Sequence, residues 1–182
     1  MEVYLALLHH PVYNKNKDII TTCITGFDLH DIARSALTFG VKKYFVVNPV
    51  ESQLEFAGRI IKTWAEEESY VHNWTRAEAL SRVVLKKDLA EVITQIKNES
   101  GKSPIIVATS ARPNQSISFT DLKAKAEGPV LLLFGTGWGM TQEVLDQSDY
   151  ILEPIVGADQ NGYNHLSVRS AVAIILNRLL GR

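Results

Sequence analysis

Short runs of β-branched and large apolar residues alternate with stretches of helical periodicity from one end of this chain to the other. A strand buried on both faces reads as a continuous apolar run, whereas a helix lying on a sheet shows apolar residues at i, i+3, i+4 and i+7. Residues 3–8, 43–47, 104–109, 130–134 and 150–152 are of the first kind; 80–85 and the β-branched stretch 19–25 are weaker strand candidates. Helices are expected from Asp28, as N-cap, to just before Gly40, then over 52–68, 88–99, 120–126 and 167–180, with another starting at Thr141. In the first of these Leu29, Ile32, Ala33, Ala36 and Leu37 form one continuous face. The weakest pattern lies over 69–75. Alternation of this kind predicts an α/β fold, a mostly parallel sheet with helices on both faces. Neither an internal repeat nor a Gly/Ser-rich linker interrupts the 182 residues, so one domain over 1–182 is expected.

Composition narrows the class. Hydrophobic residues make up 46% and charged residues 21%, which excludes a disordered, collagen-like or coiled-coil chain. The longest apolar run falls well short of the roughly 18 residues that span a bilayer. The N-terminus lacks the basic flank of a signal peptide and reads as a strand, so a cytoplasmic protein away from membranes is expected. One cysteine, Cys23, allows neither a disulfide framework nor a multi-cysteine zinc site; among β-branched neighbours it is expected as a buried core thiol. His9, His10, His30 and His72 are individually uninformative. Nineteen Lys and Arg against twenty Asp and Glu give a net charge of −1. A polyanionic partner would therefore need a local basic patch or a second subunit.

In open α/β sheets ligands bind outside the carboxyl ends of the strands. Three strand ends here carry unusual residues: Thr109-Ser110-Ala111-Arg112-Pro113, Gly135-Thr136-Gly137-Trp138-Gly139-Met140, and Pro154-Ile155-Val156-Gly157, the last followed by Asn164-His165-Leu166-Ser167. Alternate glycines permit positive φ and leave N–H groups free to approach a ligand. A dinucleotide fingerprint is the rival, with Glu153 near the position of its acidic residue, but the third glycine is misplaced and too little chain follows for a second half-domain. In the final helix Val168, Ala171, Val172, Ile175, Leu176 and Leu179 form a stripe, yet Ala173, Ile174 and Leu180 lie outside it. A helix apolar on more than one face is covered on more than one face, and a subunit interface is the simplest second cover.

Taken together these segments resemble the SPOUT superfamily of S-adenosylmethionine (SAM)-dependent RNA methyltransferases. The stretch from Arg34 through Phe39-Gly40-Val41 to Val47 looks like the first SpoU motif, 131–140 like the second, and Asn164-His165-Leu166-Ser167-Val168-Arg169-Ser170-Ala171 like the third. More narrowly, 4–14 and 163–181 are similar to a small bacterial family of stand-alone enzymes related to tRNA guanine-N1 methyltransferases. The resemblance implies a C-terminal deep trefoil knot, with a knotted cofactor-binding part over about 104–182, which the rarity of knots would never suggest. It also implies a homodimer built on the first and last helices, and RNA, either tRNA or rRNA, as substrate. SAM would sit among the three loops, with Thr109, Ser110, Gly135, Thr136, Gly137, Trp138, Gly139, Ile155, Val156, Gly157, Leu166 and Ser167 as contacts. Ile155 and Leu166 would sandwich the adenine, and Trp138 would cover the pocket or stack on a base.

Arg34 matches the arginine that SpoU enzymes place near the reacting nucleophile. Always protonated, it would bind a phosphate bidentately and orient the acceptor, or else pair with Asp28 or Asp31. His165 and Asn164 stand where those enzymes carry a catalytic asparagine, and His165 or Asp28 would take the proton. Asp28 replaces a family asparagine and the second motif lacks a family glutamate, so a base nitrogen and a ribose 2′-OH are equal acceptors. No metal is needed. Arg112, Lys42, Lys43, Arg169, Arg76 and Arg82 are candidate phosphate contacts. Two other functions are compatible with the residues: a nucleotide-binding α/β domain taking ATP or NAD on its glycine loop, and a non-catalytic SAM- or RNA-binding module.

Overall fold

A computed structural model describes residues 1–66, 71, 73–111, 115–158 and 163–182. Among these, six parallel strands form the main sheet: β1 (Val3–Leu8), β4 (Tyr44–Val47), β5 (Val83–Lys86), β6 (Ile105–Thr109), β7 (Val130–Gly135) and β8 (Tyr150–Leu152), in the order β5-β4-β1-β7-β6-β8. A separate antiparallel pair, β2 (Val12–Tyr13) and β3 (Ile19–Ile20), makes a hairpin between β1 and the first helix. The helices are α1 (Gly26–Thr38), α2 (Glu51–Ala65), α3 (Trp74–Leu80), α4 (Leu89–Ser100), α5 (Phe119–Lys125), α6 (Gln142–Asp146) and α7 (Val168–Leu180).

The period of two along each strand sorts side chains between the two faces. Leu5, Leu7, Tyr44, Val46, Leu132 and Phe134 pack in one core with Leu29, Ile32 and Ala36 of α1, Leu122 of α5 and Val172, Ile175 and Leu176 of α7. Their neighbours Tyr4, Ala6, Leu8, Phe45, Leu131 and Leu133 face Val92 and Ile96 of α4 and Val144 of α6. Both faces are covered, as a parallel sheet requires.

The structure departs from the sequence expectations in four places. Thr25, not Asp28, caps α1: its side chain accepts from the Asp28 N–H, and its hydroxyl donates to the Asp28 carboxylate at 2.7 Å. Asp28 thus stands at the third position of the helix and is paired with its cap through the Thr25 hydroxyl. Only Ile19–Ile20 of the stretch 19–25 is strand, pairing with β2 rather than joining the main sheet, and Cys23 is exposed rather than buried. Leu80 ends α3 instead of opening a strand, and β5 begins at Val83. The helix α3 escapes a periodicity search since it has seven residues; the Asn73 side chain caps it by accepting from Arg76 N–H. The weak stretch 69–75 falls partly on residues 69, 70 and 72, outside the described residues.

Candidate functional site

The strand order makes the ends of β7, β6 and β8 neighbours, so the three loops singled out by their composition emerge along one edge of the sheet. Register also sets Gly135 opposite Leu8, which brings the chain leaving β1 against the glycine loop.

The glycines of that loop serve the protein's own packing before any ligand. A Cβ on Gly135 would lie 2.7 Å from Met140 Cγ, and one on Gly137, at φ +58°, would lie 2.8 Å from the Tyr13 carbonyl oxygen. Only Gly139, at φ +103°, has open space where its side chain would be. The β2–β3 hairpin fills the rest. Trp138 N–H donates to Tyr13 O at 2.8 Å, Tyr13 N–H to Gly139 O at 2.9 Å, and Gln142 N–H to the Tyr13 hydroxyl at 3.3 Å. Trp138 itself is 65% exposed beside this contact.

A buried polar chain fastens the base of the hairpin. His9 Nδ1 lies 2.9 Å from the Thr22 hydroxyl, which pairs with the Thr136 hydroxyl, and Thr136 donates to Leu8 O at 3.1 Å. Asn48 Nδ2 donates to Thr22 O at 3.1 Å. His9 is fully buried, and burial lowers its pKa to about 4 against the pull of Asp28, so the ring is neutral at physiological pH. Its Nε2 has no hydrogen-bond partner among the described residues. The Thr136 hydroxyl points into this chain, and its main-chain N–H and C=O are bonded to Leu8 O and Gly139 N–H. None of this was legible in the sequence, where His9-His10-Pro11 marked only the end of a strand.

Beyond β6, Thr109 donates its hydroxyl to Leu133 O at 2.9 Å, tying the strand ends together, and Ser110 is half-buried next to it. Beyond β8, Ile155 packs against the core while Val156 is 74% exposed. Asn164 clamps this loop to the segment that enters α7: its Nδ2 donates to Ile155 O at 2.8 Å and its Oδ1 accepts from Gly157 N–H at 2.9 Å. With its amide engaged at both ends, Asn164 is a positioning residue rather than a group free for chemistry. His165 is exposed, edge-on to Tyr163, and Leu166 is exposed beside it. The Ser167 side chain caps α7 by accepting from Ser170 N–H at 3.2 Å. Glu153, the acidic residue of the dinucleotide alternative, accepts from Phe119 N–H at the start of α5 and is committed there.

The arginine assignments separate. Arg169, a candidate phosphate contact, binds Asp28 at 3.2 Å and Asp31 at 3.5 Å and lies over the Phe27 ring, pinning α7 to α1. Asp28, buried and shared between Thr25 and Arg169, is poorly placed to take a proton. Arg34 is exposed, with no carboxylate paired to it among the described residues, in a groove of about 520 Å³ between α1 and α7 that it shares with the Arg169–Asp31 ion pair, Phe39 and the small residues Ser35, Ser167, Ser170 and Ala173. Of the other candidate cations, Lys42 pairs with Glu2, Lys43 with Glu99, and Arg76 stacks over Trp64. Arg82 is half-buried in the turn before β5, and Arg112 lies outside the described residues. Among the described residues no cluster of three His, Cys, Asp or Glu is placed to hold a metal ion, and no helix is long and apolar enough to cross a membrane.

Six parallel strands with conspicuous loops at the ends of the last three define an α/β protein with its site on the carboxyl edge of the sheet. Residues 2–181 match the family model of SAM-dependent RNA methyltransferases, and the chain belongs to that family. An uncharacterized protein of Aquifex aeolicus is 44% identical over 185 residues, 99% of this chain and 89% of its own length. A tRNA (guanine-N(1)-)-methyltransferase of Oleidesulfovibrio alaskensis is 39% identical over 98% of this chain, which spans 42% of that enzyme's length. Among solved structures, the SpoU methyltransferase AviRb of Streptomyces viridochromogenes, in complex with AdoMet, superposes with a TM-score of 0.57 at 17% identity. That match covers 99% of this chain and 56% of AviRb, and it shows a shared SPOUT fold.

The cofactor of the family is SAM, and the residues present suit it. Exposed Trp138, Val156 and Leu166 and half-buried Ile155, all on loops after β7 and β8, are apolar surface suited to a flat adenine. The open space at the Cα of Gly139 leaves room beside the loop, although its N–H and C=O are bonded to Thr136 O and Tyr13 N–H.

Proposed function

We propose that this chain methylates structured RNA, tRNA or rRNA, at a base nitrogen or a ribose 2′-OH, as one SPOUT domain over 1–182 acting as a homodimer in the cytoplasm. The observation that carries this reading is the Asn164 clamp, which gathers the loop after β8 and the segment entering α7 beside the other two loops. Bound there, SAM supplies an electrophilic methyl on a sulfonium. Gly135, Thr136, Gly137 and Gly139 would hold its ribose and amino-acid part, and Thr109, Ser110, Gly157 and Ser167 would be further contacts. Ile155 and Leu166 enclose the adenine, with Val156 and Trp138 at the rim.

Arg34 acts on the RNA. Unpaired on α1 and facing the groove, its planar guanidinium grips a phosphate and holds the acceptor in line with the methyl. His165, exposed at the start of the last segment, is placed to take the proton that the acceptor loses. Half-exposed Ile174 on α7 lies on the face that a second subunit covers. The C-terminal trefoil knot over about 104–182 is part of the same reading and rests on the family resemblance.

Calorimetric titration with SAM, S-adenosylhomocysteine, ATP and NAD tests the reading. Saturable binding of the first two alone, followed by transfer of labelled methyl from SAM to total tRNA or rRNA, is the expected result. Binding of ATP or NAD instead would move the glycine loop to phosphate recognition, and SAM binding without transfer to any RNA would leave a non-catalytic module.

A further inference from the structure

The hairpin docked on the glycine loop ends in a tip that no packing requirement explains. Asn14 organises it: its Oδ1 accepts from Asn16 N–H at 2.8 Å and Asp18 N–H at 2.9 Å, while its Nδ2 donates to the Asp18 carboxylate at 2.9 Å. Lys17 N–H closes the turn on Asn14 O at 3.1 Å. Lys17 sits at φ +66°, in a left-handed conformation that glycine or asparagine adopts more cheaply, by roughly 1–2 kcal/mol. The chain thus keeps a long cation where local energetics favour a small residue, and such strain points to a use outside the fold. Lys15 and Lys17 are both exposed, and neither side chain is in an ion pair or hydrogen bond among the described residues. Lys42, Lys43 and Lys87 all have carboxylate partners.

Resting on the methyltransferase reading above, we propose that the β2–β3 hairpin is an RNA-contacting finger whose tip lysines, Lys15 and Lys17, bind backbone phosphates close to the acceptor nucleotide. Three features on the same element support this. The tip backbone is closed by the Asn14 hydrogen bonds, which lowers the loop entropy spent when it binds. It is fastened to the loop after β7 through Tyr13, and to the strand ends through Thr22, so a phosphate held at the tip is held in register with the cofactor loops. From Tyr13 to the tip is about three residues, or roughly 10 Å, a reach of a few nucleotides at most. A chain of net charge −1 has no overall field to attract RNA, and two unpaired lysines beside the site are the local charge it requires. The polar tip, flanked by Asn14 and Asn16, matches a phosphate backbone and not an apolar protein partner.

Binding of total tRNA and of total rRNA, measured over a series of KCl concentrations, tests the finger with the full chain. Lys15→Ala combined with Lys17→Gly removes both charges and relieves the backbone strain, so loss of folding does not confuse the outcome. The expected result is affinity reduced about tenfold or more at low salt and a log–log salt slope shallower by about 1.5, the share of two phosphate contacts. SAM affinity by calorimetry stays at the wild-type value. Lys15→Arg with Lys17→Arg restores RNA binding, and Asn14→Ala, which keeps both lysines but frees the tip, gives an intermediate loss. A double variant with wild-type affinity and slope overturns the finger alone. A wild-type protein that binds SAM but neither RNA overturns the finger and the RNA substrate together.

Discussion

Two side chains at opposite ends of the polarity scale define the chemistry at the residue scale. Arg34 is exposed and without a carboxylate partner among the described residues, while Arg169 pairs with Asp28 and Asp31. Arg34→Ala is expected to lower kcat/KM for RNA by roughly 10- to 100-fold, the worth of a charge-assisted contact, with SAM affinity by calorimetry unchanged. Full activity in the variant would remove Arg34 from the mechanism. His9 is the buried counterpart. Unfolded, its imidazole titrates near 6.5; folded, burial holds it at about 4. Between those values the unfolded chain binds the extra proton, so stability is full above about pH 6.5 and falls as pH drops toward 4. The loss approaches something on the order of 3 kcal/mol. His9→Asn, which keeps a hydrogen-bonding group for Thr22, is expected to flatten the fall in melting temperature between pH 7 and pH 4. An unchanged acid profile would show that His9 does not carry it.

Individual elements matter to the site through the way their ends are tied. The segment entering α7 is fastened to residues 155–157 by one asparagine side chain making two hydrogen bonds. Asn164→Ala leaves the Gly157 N–H and the Ile155 carbonyl to water and is expected to weaken SAM binding about tenfold, close to the net value of the two bonds. Global melting should shift far less than SAM affinity; an equal loss of both would make Asn164 a general structural residue. At this scale the sequence was partly legible. Ser167 and Asp88, which cap α7 and α4, announce themselves because a polar cap before an apolar stripe is a local signal. The N-cap of α1 was misplaced by three residues, since Thr25 and Asp28 are both good caps and only the path of the chain leaving the hairpin selects between them.

Across the whole molecule, α7 keeps a second apolar face. Ile174 is half-buried and belongs to neither core cluster, which is the condition for a surface that a second copy covers. Ile174→Glu is expected to convert a dimer to a monomer in sedimentation equilibrium while the circular dichroism spectrum is retained. A wild-type chain that sediments as a monomer would refute the dimer directly. The class of fold was readable from the chain because burial on both faces of a parallel sheet demands uninterrupted apolar strands, a constraint that each strand meets alone. The motif loops were readable for a similar reason: their glycines and short polar residues are unusual wherever they occur. Strand order was not, because β7 enters between β1 and β6 through contacts far apart in sequence. Nor were the partners of Asn164, His9 and the hairpin, each of which joins segments that only folding brings together. Composition and periodicity report what each stretch must bury, whereas the site depends on which stretches meet, and that is settled by long-range packing.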